Sequence, residues 1–167
     1  MNFVCSCGEN HTESIFRLII FFSYLAGLVT VLFLYPDFIM SMDKTPDTFV
    51  LYCVFAASVL IFSSSVFGLF LLPLTACFYG AAACEMSLKF IGSYMSCGTA
   101  DWKALLAAAI EFPAFFIAAV NGMCTSGLLL GSLKVSGPAF KSACIRKYLP
   151  VTLAAIAAAA AVCLIKG

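Results

Sequence analysis

Charged residues are what this chain has least of. Only 10% of its 167 residues are Asp, Glu, Lys or Arg, and 63% are hydrophobic, whereas an ordinary soluble domain carries about 25% charged residues. That excludes a soluble globular fold and leads to the expectation of an all-α, polytopic integral membrane bundle. The few charges stand between long apolar runs. With a formal net charge of +1 there is no basic tail, no acidic run and no Lys/Arg stripe interleaved with aromatics, so no nucleic acid is expected as a partner. Histidine is nearly absent as well. The single one, His11, stands outside the long apolar runs, and no Ser/His/Asp set, HExxH, Walker loop or paired carboxylates accompany it. No enzyme activity, catalytic residue or cofactor is expected.

A leader peptide is also missing from the pattern. Glu9, His11 and Glu13 precede the first apolar run and no small-residue cleavage site closes a short one, so that run reads as retained. Cysteine, by contrast, is plentiful. Nine of them suggest a disulfide framework in a small secreted protein, but Cys53, Cys77, Cys84, Cys124 and Cys163 fall in or at the ends of apolar segments and read as small packing residues. Cys5, Cys7 and His11 are the one cluster with metal-ligand character. They lack the paired spacing of zinc sites, so no metal is expected, and residues 1–14 read as a short, unstructured, reduced cytoplasmic segment.

Against the yardstick of about 20 apolar residues per crossing, residues 15–167 form one transmembrane helical domain. The first span covers 15–35, with Arg17 near enough to its start to reach the headgroups. From Thr48 to Cys84 there are 37 residues without a charge, too many for one crossing and nearly enough for two. Three serines and a glycine in Ser63-Ser64-Ser65-Val66-Phe67-Gly68 can turn a helical hairpin and satisfy the backbone groups it frees. Spans at 48–62 and 66–84 follow, the second containing Pro73; the alternative is a single long kinked helix. A polar connection at 85–103 precedes a fourth span at 104–133, a basic loop at 134–147 and a fifth span at 148–165.

Loops rich in Lys and Arg stay in the cytoplasm. With five spans, Arg17, Lys134, Lys141, Arg146 and Lys147 share one side, and Lys44, Lys89, Lys103 and Lys166 the other. The loop at 134–147 holds four of these cations and no acid, whereas the opposite side also carries Asp37, Asp43, Asp47, Glu85 and Asp101. The expected location is the cell membrane, multi-pass, with the N-terminus cytoplasmic and the C-terminus outside.

The fourth span contains the sharpest anomaly. Glu111 lies nine residues beyond the interfacial Trp102, with Pro113 two residues further on; at 1.5 Å per residue the carboxyl is about 13 Å along the helix. Holding it ionised in hydrocarbon costs several kcal/mol, so it is expected to be protonated, paired or facing a wet cavity. Three roles fit: mending the backbone break that Pro113 makes at the carbonyl of Ala109, relaying a proton or ion, or recognising a partner. Beyond it, Ala114, Ala118, Gly122 and Ser126 recur at four-residue steps, and Gly127 and Gly131 add a GxxxG. Such a ridge lets another helix approach closely, and Asn121 can add an interhelical hydrogen bond. Packing within the chain is favoured over packing against a second copy in a homo-oligomer.

The stretch Glu111-Phe112-Pro113-Ala114, followed by Ala118 and Gly122, resembles the late segment of the stage II sporulation protein M family. That family reads glutamate, any residue, proline, alanine, then small residues at four-residue steps. The preceding "SVFGLFLLPLTACFYG" is similar to its central helix pair, so the likeness covers about residues 49–131. Where the family has a His-Gly pair ahead of the glutamate, this chain has Ala107-Ala108, and Glu111 has no such histidine. The resemblance implies a non-enzymatic bacterial or archaeal membrane scaffold, anchored in the lipid bilayer. In endospore formers such a scaffold acts in engulfment with peptidoglycan-degrading partners, so envelope or cell-wall hydrolase proteins are the partners it implies. A small transporter or channel subunit using Glu111 is the competing expectation.

Overall fold

The computed structural model describes residues 4–34, 48–97 and 102–134, together with 146, 148–158, 160 and 161. Four long helices fill most of this: α1, Val4–Leu34; α2, Thr48–Ser63; α3, Gly68–Cys97; and α4, Trp102–Lys134. A shorter apolar helix, α5, spans Tyr148–Ala158. Among the described residues there is no strand. Stretches at His11–Phe33, Gly68–Glu85 and Ala109–Gly131 are long and apolar enough to cross a membrane, which fits a membrane location. The other two expected spans fall short of that length. With 16 residues, α2 is about 24 Å long at 1.5 Å per residue, and most of the fifth span beyond Ala158 lies outside the described residues. So do the charged loops at 35–47 and 135–145 on which the expected orientation rests.

Two boundaries differ from the sequence reading. The N-terminal segment is helical from Val4 rather than unstructured, and Glu13 pairs with Arg17 one turn on, at 2.5 Å, an arrangement that supports a helix. The polar connection expected from Glu85 onward is helical as far as Cys97. Glu85, Met86, Leu88 and Lys89 are good helix formers, no proline interrupts them, and polarity alone does not stop a helix.

The chain turns at 64–67, within the serine-rich stretch, and the serines satisfy the backbone there. Ser64 N donates to the Ile61 carbonyl (3.3 Å) and Ser65 N to that of Phe62 (3.1 Å), closing the end of α2. Ser64 Oγ donates to the Ile61 carbonyl (2.7 Å), while Ser65 Oγ accepts from Phe67 N (3.1 Å). Gly68 then has to be glycine, because a Cβ there would overlap the Phe62 carbonyl and Ser126 Oγ.

Residue pairs in contact fix the helix directions. Phe16 of α1 reaches Gly127 and Tyr24 of α1 reaches Phe112, so α1 and α4 are antiparallel. Tyr79 meets Phe115 while Leu72 meets Gly122, making α3 antiparallel to α4. Phe55 meets Phe115 and Ser63 meets Gly122, so α2 runs parallel to α4. Successive helices therefore alternate in direction. The most extensive pairing joins α1 to α3 and is also the closest. A Cβ on Gly27 would overlap the Cys77 carbonyl, and one on Gly80 would overlap that of Tyr24. Ile20, Val59, Leu72, Ala76, Ala119 and Met123 fill the centre, whereas Phe33, Phe70 and Phe78 project outward. An outer surface this apolar is far beyond what a soluble monomer leaves uncovered.

Candidate functional site

Glu111 faces the centre of the bundle and is 1% exposed. Two residues along a helix rotate the direction by about 200°, and Pro113 accordingly emerges on the exposed face. The helix runs unbroken through it, from Trp102 to Lys134. Proline and carboxyl, adjacent in sequence, thus point to opposite sides, and Ala109 is also on the exposed side.

The walls around the carboxyl are aromatic. Tyr79 stacks on Phe115 with centroids 4.1 Å apart and planes at 19°; Phe55 meets Tyr79 edge-on at 5.2 Å and 85°; Tyr24 leans on Phe112 at 4.7 Å. Offset and edge-on contacts of this kind each contribute about 0.5–1.5 kcal/mol beyond the area they bury. A cavity of about 20 Å³ adjoins Glu111, bounded by Phe55, Tyr79 and Phe115 and covered by Ala155 and Ile156. That is room for about one water molecule.

The small-residue ridge is used inside the chain. Ala114, Ala118 and Ser126 are 8%, 2% and 0% exposed. Gly122 seats Ser63 Oγ and the Leu72 methyl, and Ser126 Oγ donates to the Phe62 carbonyl at 3.3 Å. The ridge thus receives the end of α2 and the start of α3. Gly127 meets the Phe16 ring, where a Cβ would stand 3.4 Å from Cζ. Gly131 does not belong to it: it is exposed, with nothing within 4 Å of where its Cβ would be. Asn121 Nδ2 donates to the Ile117 carbonyl of its own helix at 2.8 Å. Leucine at Gly122 is expected to prevent close packing of α4 on the α2–α3 turn and to lower the melting temperature in detergent by about 5–10 °C, as overpacking of about 2–3 kcal/mol does in a chain of this size. Ile117→Leu on the exposed face should leave it within about 1 °C. An unchanged melting temperature for Gly122→Leu would place the ridge outside the bundle.

Two features were missed in the sequence. Ala76, Gly80 and Cys84 form a second series of small residues at four-residue steps, all buried, and its spacing was there to be found. The other is the convergence of Ser63, Thr125 and Thr152 from three helices, which no local pattern announces.

No protein-family model, curated protein or solved structure matches this chain. The likeness to stage II sporulation protein M therefore rests on the Glu111 segment and the hairpin before it.

Proposed function

We propose that the chain is a non-enzymatic scaffold of a bacterial cell membrane, of the stage II sporulation protein M kind, which holds envelope or peptidoglycan-remodelling partners through its outward segments. The observation that carries this reading is the density of packing around Glu111. The adjoining cavity of about 20 Å³ is far below the roughly 300–1,000 Å³ of sites that hold a small-molecule substrate. Of the residues that carry the resemblance, Glu111, Ala114, Ala118 and Gly122 are buried in the bundle and Pro113 is exposed, so most of them build the fold and leave recognition to the segments between helices. With the ridge occupied internally, a partner or a second copy docks elsewhere.

The competing reading is a small transporter or channel subunit, favoured by one observation: the carboxyl of Glu111 lines a cavity beneath α5. Extraction from native membranes in mild detergent, with identification of co-purifying proteins, combined with flux assays in liposomes, separates the two. A co-purifying cell-wall hydrolase and silent liposomes are expected. Ion or proton flux that disappears in Glu111→Gln would replace the scaffold with the transporter.

In this reading the chain crosses the membrane five times, with the N-terminus and the basic loop at 134–147 in the cytoplasm. A single cysteine introduced at Lys141, in a variant stripped of native cysteines, should resist an impermeant maleimide in intact cells and react after lysis. Labelling in intact cells reverses the orientation.

A further inference from the structure

A second cavity, of about 130 Å³, lies at the end of the bundle where α2 turns into α3. Four hydroxyl residues line it: Ser63 and Ser64 from the end of α2 and the turn, Thr125 from α4 and Thr152 from α5. Every one of these hydroxyls already donates its hydrogen to a backbone carbonyl. Ser63 Oγ donates to the Val59 carbonyl, Ser64 Oγ to that of Ile61 at 2.7 Å, Thr125 Oγ1 to that of Asn121 at 2.8 Å, and Thr152 Oγ1 to that of Tyr148 at 3.0 Å. A hydroxyl has one donor and two acceptor lone pairs, so what these four described residues still offer the cavity through their hydroxyls is acceptors alone. The rest of the lining is leucine, from Leu60, Leu129 and Leu149.

We infer that this cavity binds a primary ammonium group carried on a short apolar stem. An ammonium offers three donors and no acceptor, the complement of a wall that accepts and does not donate. Water can also donate to these oxygens, but an ammonium turns all three of its donors to them and has no lone pair left to satisfy. A calcium ion would need six to eight oxygens at about 2.3–2.6 Å, more than the four hydroxyls here supply. The carboxy-terminal end of α2, where the helix dipole places a partial negative charge, borders the same space through Ser63 and Ser64 and favours a cation. The leucines receive methylene groups. An aminophospholipid headgroup and a free small amine share this chemistry. For the lipid, the position is apt, because Ser64 lies just before the apolar stretch that starts at Gly68. The inference holds whether the bundle scaffolds or transports.

The test is thermal unfolding of the whole chain in nanodiscs of phosphatidylcholine, with and without phosphatidylethanolamine, and in phosphatidylcholine with free ethanolamine added. Phosphatidylcholine has no N–H to donate. Phosphatidylethanolamine is expected to raise the melting temperature by about 4 °C, a shift of the size that ligand binding well above its Kd produces. Thr152→Val and Thr125→Val, which keep shape and remove an acceptor oxygen, should each lose at least half of that increment. Each increment is measured against the same variant in phosphatidylcholine, so a general loss of stability cancels. A matching rise with ethanolamine identifies the free amine as a sufficient ligand, and a rise with the lipid alone assigns the headgroup. Equal melting in the two lipids with no response to ethanolamine, or a full increment in the Thr125/Thr152 double variant, overturns the inference.

Discussion

Gly27→Leu will yield little folded protein. At this position the first atom of any side chain would overlap the carbonyl of Cys77, and the reciprocal position, Gly80, offers the carbonyl of Tyr24. Both obstacles are backbone. A flexible side chain can rotate away from an added methyl, and overpacking then costs about 1–3 kcal/mol, but a helix backbone can only move as a whole. Pushing α1 off α3 abandons the most extensive helix pairing in the bundle, a loss comparable with the roughly 5–15 kcal/mol by which a typical domain is stable. Gly80→Leu should fail in the same way. Gly92→Leu is the control, since nothing lies within 4 Å of a Cβ there and leucine is the better helix former by about 0.8 kcal/mol. Monodisperse yield in mild detergent and the melting temperature are the readouts. Wild-type behaviour of Gly27→Leu and Gly80→Leu would mean that α1 does not sit on α3 through this contact.

Glu111→Ala is expected to lower the melting temperature by about 6–12 °C, corresponding to about 3 kcal/mol in a chain of this length. Truncation at a position 1% exposed enlarges the neighbouring cavity, and helices cannot collapse into a space held open by stacked aromatic rings. Glu111→Gln keeps the shape and most of the hydrogen-bonding capacity and should stay within about 1 kcal/mol of wild type. Function separates the proposals more sharply than stability does. A scaffold tolerates Gln, because the fold is intact; a proton or ion relay does not, because Gln cannot titrate. Complementation by Glu111→Gln at wild-type level, with Glu111→Ala impaired in proportion to its lost stability, is the expected pattern. Loss of function in a fully stable Glu111→Gln protein would favour transport.

How much of this was legible beforehand depended on the range of the interaction involved. The Ser63 to Gly68 turn could be read because its signal is local: hydroxyls and a glycine placed where a charge-free run was too long for one crossing. The ridge from Ala114 to Ser126 was legible for the same reason, its four-residue step being a property of one helix. That Glu111 and Pro113 emerge on opposite faces of α4 follows from the rotation of about 200° over two helical residues, a step that spacing alone does not display. For Asn121 the sequence offered a neighbouring helix as partner, while the bond described is to the Ile117 carbonyl four residues back on the same helix. The hydroxyl cavity was not legible at all, since Ser63, Thr125 and Thr152 are isolated in sequence and meet only after three helices have packed.

The close approach of α1 to α3, at Gly27 against Cys77 and at Gly80 against Tyr24, also has a meaning in time. Synthesis proceeds from the N-terminus at about 5–20 residues per second, so α1 is complete seconds before the strip of α3 around Cys77 and Gly80 that receives it. During that interval α1, whose apolar stretch is only 11% buried even in the finished bundle, has no tight seat anywhere in the chain. Its Gly27 face is then open to whatever smooth helix surface comes near. The order of the genetic message thus creates a brief window in which α1 can pair wrongly, and the arrival of Gly80 closes it.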